Sequence, residues 1–197
     1  EAQVVTIHGR PLTVINRVLT PGAKLLLLSA DAGSPRAVAD LLVESGNGNS
    51  VLAVLERLGG PDERRLDGSA RSWPHSPGAD LNVIAVDLKA SPTAPAWSRA
   101  SGLPDDAFRH DGQITKREVR AATLAALAPL PGDLLWDLGA GSGSIAIEWL
   151  RAERRARAVA VERRADRVLN ITANAARFGV PQLAVVEGAA PDILGQL

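Results

Sequence analysis

Cysteine and methionine are both missing from this chain of 197 residues. Without cysteine there is no disulfide, no thiolate metal site and no cysteine nucleophile, and the composition is compatible with a reducing cytoplasm. Without methionine the chain has no ordinary start residue. It begins at Glu1 and is expected to be a piece of a longer protein. An excess of one charge is also missing. The 22 basic residues balance 22 acidic ones, so no global field draws the chain towards nucleic acid or a membrane. No apolar run approaches the roughly 20 residues of a bilayer-spanning helix, and the opening "EAQVVTIHGR" lacks the plan of a secretory signal. His8, His75 and His110 are scattered without metal-ligand spacing, and no metal is expected.

What is present is two patterned stretches on either side of a poor one. Residues 91–113, "SPTAPAWSRASGLPDDAFRHDGQ", lack periodicity, are rich in Pro, Ser, Gly and Asp, and read as a linker. Before them, residues 1–90 hold strand-like apolar runs in "AKLLLLSAD", "SVLAVLERLGG" and "DLNVIAVDLK". A helix is expected in "SPRAVADLLVESG", with Ser34 as N-cap, Pro35 at the first helical position and Gly46 beyond its end. Continuous apolar strands alternating with helices suggest an α/β sheet covered on both faces.

After the linker, residues 114–197 read as a helix and then β-α-β-α-β, the opening half of a doubly wound sheet. Thr115 and Glu118 make a T-x-x-E capping box for the first helix, in which Val119, Ala122 and Ala126 share a face. In "RADRVLNITANAARFG", Val168, Ile171, Ala175 and Phe178 share a face and Gly179 stands at the C-cap glycine position. The arginines of "RAERRARAVAVERRADR" read as a solvated helix face, while Trp136 and Trp149 are expected to pack around the glycine loop.

That loop lies in "LLWDLGAGSGSIAIEW", residues 134–149, where an apolar run ends in an acid and a helix follows. A P-loop would carry Lys-Ser or Lys-Thr after its glycines, and none stands here. The dinucleotide fingerprint needs a glycine at position 144, which is Ser144. The spacing is instead G-x-G-x-G, at Gly139, Gly141 and Gly143, with Asp137 before it. This is the pattern of Rossmann-type methyltransferases that use S-adenosylmethionine. Glycines let backbone approach a ligand that a Cβ would push away, Asp137 can attract the cofactor's ammonium end, and Glu162 at the next strand end can accept both ribose hydroxyls. After the third strand, Gly188 and Ala189 leave room beside the adenine. On these residues alone, a methyltransferase acting on RNA or a small molecule and a non-catalytic cofactor-binding module both stay open.

Larger stretches carry a resemblance. "DGQITKREVRAATLAALAPLPGDLLWDLGAGSGSIAIEW", "AVAVERRADRVLNITANAARFGV" and "VVEGAAPDIL" resemble the C15-methylating, decarboxylating domain of cobalamin biosynthesis, and "ITKREVRA" is its distinctive part. "TVINRVLTPGAKLLLLSADAGSPRAVADLLVESGNGNSVLAVLERLGGPDERRLDG" resembles the later part of the C5-methylating tetrapyrrole methylase domain. Fused in this order, they are similar to the bifunctional precorrin-6Y C5,15-methyltransferase family over nearly the whole chain. The resemblance implies an α/β chain: residues 1–90 as the later part of the C5 domain, 91–113 as linker, and 114–197 as the opening part of an incomplete Rossmann-like sheet. It implies methylation of a precorrin at C5 and C15 with loss of the C12 acetate carboxyl, using S-adenosylmethionine. It places Thr115 beside the cofactor, Gly139, Ala140, Gly141, Ser142 and Gly143 as its loop, Glu162 on the ribose, and Gly188 with Ala189 along the adenine. Where relatives often carry Asp, Asn or Arg, this chain has Ala189. The implied partner is a tetrapyrrole, with no nucleic acid or membrane, in a cytoplasmic homo-oligomer. No residue is singled out as a catalytic acid or base.

Overall fold

Three runs of alternating burial organise the first part of the chain. The computed structural model describes residues 1–92, 94–193 and 195 and falls into two units, Glu1–Ala96 and Trp97–Leu197. In the first unit, β1 (Ala2–Thr6), β2 (Lys24–Leu28), β3 (Val51–Glu56), β4 (Arg64–Ser69) and β5 (Asn82–Asp87) form one sheet in the order β1-β2-β5-β3-β4. Only β1 and β2 run parallel; the other pairs are antiparallel. Leu25, Leu27, Leu52, Val54, Ile84 and Val86 point into a core shared with Val38, Ala39 and Leu42 of helix α1 (Ser34–Glu44).

A sheet covered on both faces is the expectation; one face is less covered than the other. The alternate residues Leu26, Ala53, Leu55, Val83 and Ala85 are only half-buried. Antiparallel strands need only short hairpins, whereas parallel crossovers need a dozen or more residues. One such short connection joins β3 to β4. The β3–β4 hairpin turns at Gly59, Gly60 and Pro61 and sets Glu56 opposite Arg64. Glu56 is buried, receives the Ala79 N–H at 2.9 Å and pairs with Arg64. A Cβ on Gly78 would lie 1.8 Å from its Oε1.

Ser34 is the first residue of α1 rather than its cap. Gly33 precedes the helix, and the Asp31 carboxylate takes the N–H groups of Gly33 and Ser34 at 2.9 Å each. A charged acceptor two or three residues upstream does the capping that a hydroxyl would otherwise do.

The second unit is Rossmann-like. Helix α2 (Arg117–Leu127) precedes β6 (Leu134–Leu138), α3 (Ser144–Ala152), β7 (Arg157–Glu162), α4 (Ala165–Arg177), β8 (Ala184–Glu187) and the short α5 (Ala190–Ile193). The three strands are parallel in the order β6-β7-β8. Ala146, Ile147 and Leu150 of α3, Ala158 and Ala160 of β7, and Ile171, Ala175 and Phe178 around α4 form its core. Gly179 ends α4 at φ +72°, and Val180 N–H reaches back to the Ala175 carbonyl at 2.9 Å, as the apolar spacing and terminal glycine predict.

Two expectations here are corrected. Residues from Trp97 to 113, read from composition as linker, pack into this unit: Leu103, Ala107 and Phe108 are buried in its core. Their backbone is held by side chains from distant helices, a signal that local composition does not carry. Nor does the T-x-x-E box form. Lys116 occupies the N-cap position of α2 without a side-chain cap bond. The residues α2 buries are Arg120 and Leu124, and Val119 is 54% exposed. The inward face of α2 is chosen by an ion pair rather than by its apolar residues.

Candidate functional site

Parallel pairing brings the C-terminal ends of β6, β7 and β8 to one edge of the sheet, and every strand-end residue singled out in the sequence stands there. As β6 ends, Gly139 N–H and Ala140 N–H both bond the Val161 carbonyl of β7, at 2.9 and 3.0 Å, so the loop leaves across the neighbouring strand. Gly139, Gly141 and Gly143 adopt φ of +74°, +58° and +74°. Three left-handed residues within five positions are accessible in practice only to glycine. Their surroundings differ. A Cβ on Gly139 would meet nothing within 4 Å, whereas on Gly143 it would lie 2.8 Å from Ile171 Cγ2. Gly143 serves packing against α4, whereas Gly139 faces open space.

Glu162 is 4% exposed, which sets aside a solvated strand-end acid. Its Oε2 accepts Gly141 N–H at 2.9 Å and its Oε1 accepts Arg164 N–H at 3.0 Å. Its carbonyl receives Gly188 N–H at 3.0 Å. One residue thus joins the glycine loop, the start of α4 and the turn after β8. A carboxylate offers about four lone-pair sites, so two acceptor positions remain for a diol.

Asp137 Oδ2 accepts Ala146 N–H at 3.2 Å, tying the end of β6 to the first turn of α3. Burial pushes its carboxyl above the usual range, the Ala146 bond opposes this, and the nearby Glu162 charge adds to the rise. Two acids held at one strand edge, one of them destabilised as an anion, suit a cationic group better than a phosphate. Ser142 is buried, with its carbonyl taken by Asn174 at 3.0 Å, and Ala140 packs against the core. Ala189 is exposed, and its carbonyl receives Asp192 and Ile193 N–H at 3.1 Å. These residues fit a ligand with an ammonium end and a ribose.

Thr115 is placed differently. It is exposed, and its carbonyl is held by Arg120; among the described residues no hydrogen bond joins it to the loop. The two tryptophans do not both pack around the loop. Trp149 is buried in the core and donates Nε1–H to the Arg157 carbonyl at 3.0 Å, whereas Trp136 is 44% exposed because strand alternation turns it away from Leu135 and Asp137. Arg151 is not on a solvated face. It is buried, stacks over Phe178 and donates to the carbonyls of Phe178 at 2.8 Å and Ser98 at 2.9 Å.

Three features escape sequence reasoning. Glu148 accepts Gly102 and Leu103 N–H at 2.6 and 3.0 Å and the Arg120 guanidinium at 2.9 Å, and Arg120 also reaches Asp105 at 2.7 Å. Arg167 binds Asp111 at 2.8 Å. Asn174, fully buried on α4, ties residue 109 to the loop. Only Asn174 leaves a trace, an amide on the apolar stripe of Ile171, Ala175 and Phe178. Among the described residues no cluster of three or more His, Asp or Glu side chains is placed to hold a metal. No helix among them is long and apolar enough to cross a membrane.

Comparison with known proteins finds similar chains. Residues 106–197 match the family model described as "Precorrin methyltransferase domain". Over all 197 residues the chain is 49% identical to a precorrin-6Y C(5,15)-methyltransferase [decarboxylating] from Sinorhizobium sp, covering 48% of that relative. A protein of the same name from Mycobacterium tuberculosis (strain ATCC 25618 / H37Rv) is 49% identical over 189 residues, covering 94% of this chain and 45% of the relative. Among solved structures, the C-terminal domain of precorrin-6Y C5,15-methyltransferase from Rhodobacter capsulatus is 51% identical across 51% of this chain and 54% of that one, with a TM-score of 0.48. The chain spans about half the length of the curated relatives it matches.

Proposed function

Because this chain is a relative of the decarboxylating precorrin-6Y C(5,15)-methyltransferases along its whole length, we propose that it is part of an enzyme that methylates a precorrin at C5 and C15 and releases the C12 acetate carboxyl as carbon dioxide. In this reading residues 1–90 belong to the C5-methylating domain, and residues 114–197, together with the stretch from Trp97 that packs into the same unit, to the C15-methylating, decarboxylating domain. The observation that carries the reading is the Glu162 carboxylate, buried at the strand edge and bonded to Gly141 N–H at 2.9 Å. It both shapes the glycine loop and keeps acceptor positions for a ribose.

S-adenosylmethionine, when bound, supplies a methyl group on a sulfonium, already a strong electrophile. The chain's own residues have the task of holding two reactants in line and keeping water out. Gly139, Ala140, Gly141, Ser142 and Gly143 form the cofactor loop. Asp137 attracts the ammonium end, Glu162 holds the ribose diol, and Gly188 with Ala189 borders the adenine. Thr115 stands beside the cofactor. The conjugated tetrapyrrole itself absorbs the charge left by loss of the carboxyl, so no acid or base need be assigned here. A cytoplasmic location and homo-oligomeric assembly complete the proposal.

Calorimetric titration tests the cofactor assignment. S-adenosylhomocysteine should bind saturably and raise the melting temperature of the second unit, and NADH should do neither. Binding of NADH alone would overturn the reading.

A further inference from the structure

Resting on the cofactor assignment above, we infer that Asn174 is a positioning residue for that site, setting the glycine loop and the segment leading to Thr115 as one body. Asparagine is a poor choice for the middle of a helix, and a fully buried amide is tolerated only when its polar atoms are matched. All three side-chain hydrogen bonds of Asn174 leave its own helix for main chain far away in sequence. Oδ1 accepts Arg109 N–H at 2.8 Å, and Nδ2 donates to the Arg109 carbonyl at 2.9 Å and to the Ser142 carbonyl at 3.0 Å. One amide group thus imitates a strand partner for residue 109 and grips the loop with its second donor.

The grip on the loop is two-sided. Glu162 takes Gly141 N–H and Asn174 takes the next carbonyl, that of Ser142, so adjoining residues of the loop are held by two buried side chains from different elements. On the other side of Asn174, the segment after residue 109 is fastened to α4 by Arg167 and Arg164, which reach Asp111 at 2.8 and 3.3 Å. Arg120 then fixes the carbonyl of Thr115. The residues proposed to flank the cofactor on the loop and on this segment therefore share one buried amide.

The test uses the whole chain and three variants. Asn174→Ala removes all three bonds. Asn174→Asp keeps the shape and the acceptor for Arg109 N–H but removes the donors. Phe178→Leu perturbs the same core and the ring contact with Phe108 but leaves the three Asn174 side-chain hydrogen bonds in place. Hydrogen exchange is read at the amides of Gly141 and Gly143, which Asn174 does not itself bond. Exchange there should rise at least tenfold in both Asn174 variants and stay within threefold of the parent in Phe178→Leu at matched loss of melting temperature. S-adenosylhomocysteine affinity should fall at least tenfold in the Asn174 variants only. Unchanged loop exchange in Asn174→Asp, or equal changes in Phe178→Leu, would overturn the inference and leave Asn174 a core residue. If the parent chain binds no S-adenosylhomocysteine, the cofactor reading fails, while loop exchange still decides whether Asn174 positions the loop. Should Asn174→Ala not fold, Asn174→Asp carries both measurements.

Discussion

Glu162 Oε2 lies 2.9 Å from the Gly141 nitrogen, so the acid that ends β7 shapes the loop that follows β6. Its other oxygen receives Arg164 N–H at 3.0 Å. An acid expected to serve only a ligand is thus also part of the scaffold that holds the glycine loop. Changes at Glu162 must act on stability and on binding together.

The glycines of the loop should separate by role. Gly139→Ala places a side chain in open space at φ +74°. It should lower stability by about 1–2 kcal/mol, the cost of a left-handed L-residue, and should weaken cofactor binding by occupying the ligand's side. Gly143→Ala meets Ile171 at 2.8 Å as well and should cost about 1–3 kcal/mol more through overpacking. Chemical denaturation of both variants checks the order; equal losses would contradict it.

Asp137→Asn should stabilise the fold at neutral pH. Burial raises the Asp137 carboxyl, with Glu162 adding to it, so the folded chain holds that proton more tightly than the unfolded one. Stability from this group is full below the ordinary carboxylate value, about 3.9, and is lost as pH rises through the raised folded value. The substitution, which keeps an acceptor for Ala146 N–H, should raise stability at pH 7 by about 0.5–2 kcal/mol, with the gain vanishing near pH 3.5. Melts of parent and variant across that range measure it. Cofactor affinity should fall in the same variant.

Arg120→Met should destabilise the second unit by about 3–5 kcal/mol, because it leaves the buried Glu148 carboxylate without its cation. The midpoint and slope of a chemical-denaturation curve give the check. A loss below about 1 kcal/mol would mean that the Gly102 and Leu103 amides alone satisfy Glu148.

What could be read in advance follows from how far each interaction reaches. The strands and helices of the second unit obey local periodicity, and the left-handed loop needs glycine whatever surrounds it; both were legible. The two strand-end acids, Asp137 and Glu162, and the turns after the three strands share an edge because parallel pairing leaves them no other place. By contrast, α2 turns Arg120 inward for partners 15 and 28 residues away, and residues 97–113 are ordered by Glu148, Asn174 and Arg167. Those are long-range polar bonds with no periodic signature. In the first unit, β4 is a polar strand, Arg-Arg-Leu-Asp-Gly-Ser, recognisable only once its hairpin partner β3 is known.

The most direct test titrates S-adenosylhomocysteine into the parent chain and Glu162→Ala, with a thermal melt of each. The account predicts saturable binding by the parent. It predicts a variant that still melts cooperatively, about 1–3 kcal/mol less stable from two orphaned amides, with binding weakened at least tenfold. Equal affinity in the two chains would contradict a cofactor held at the end of β7.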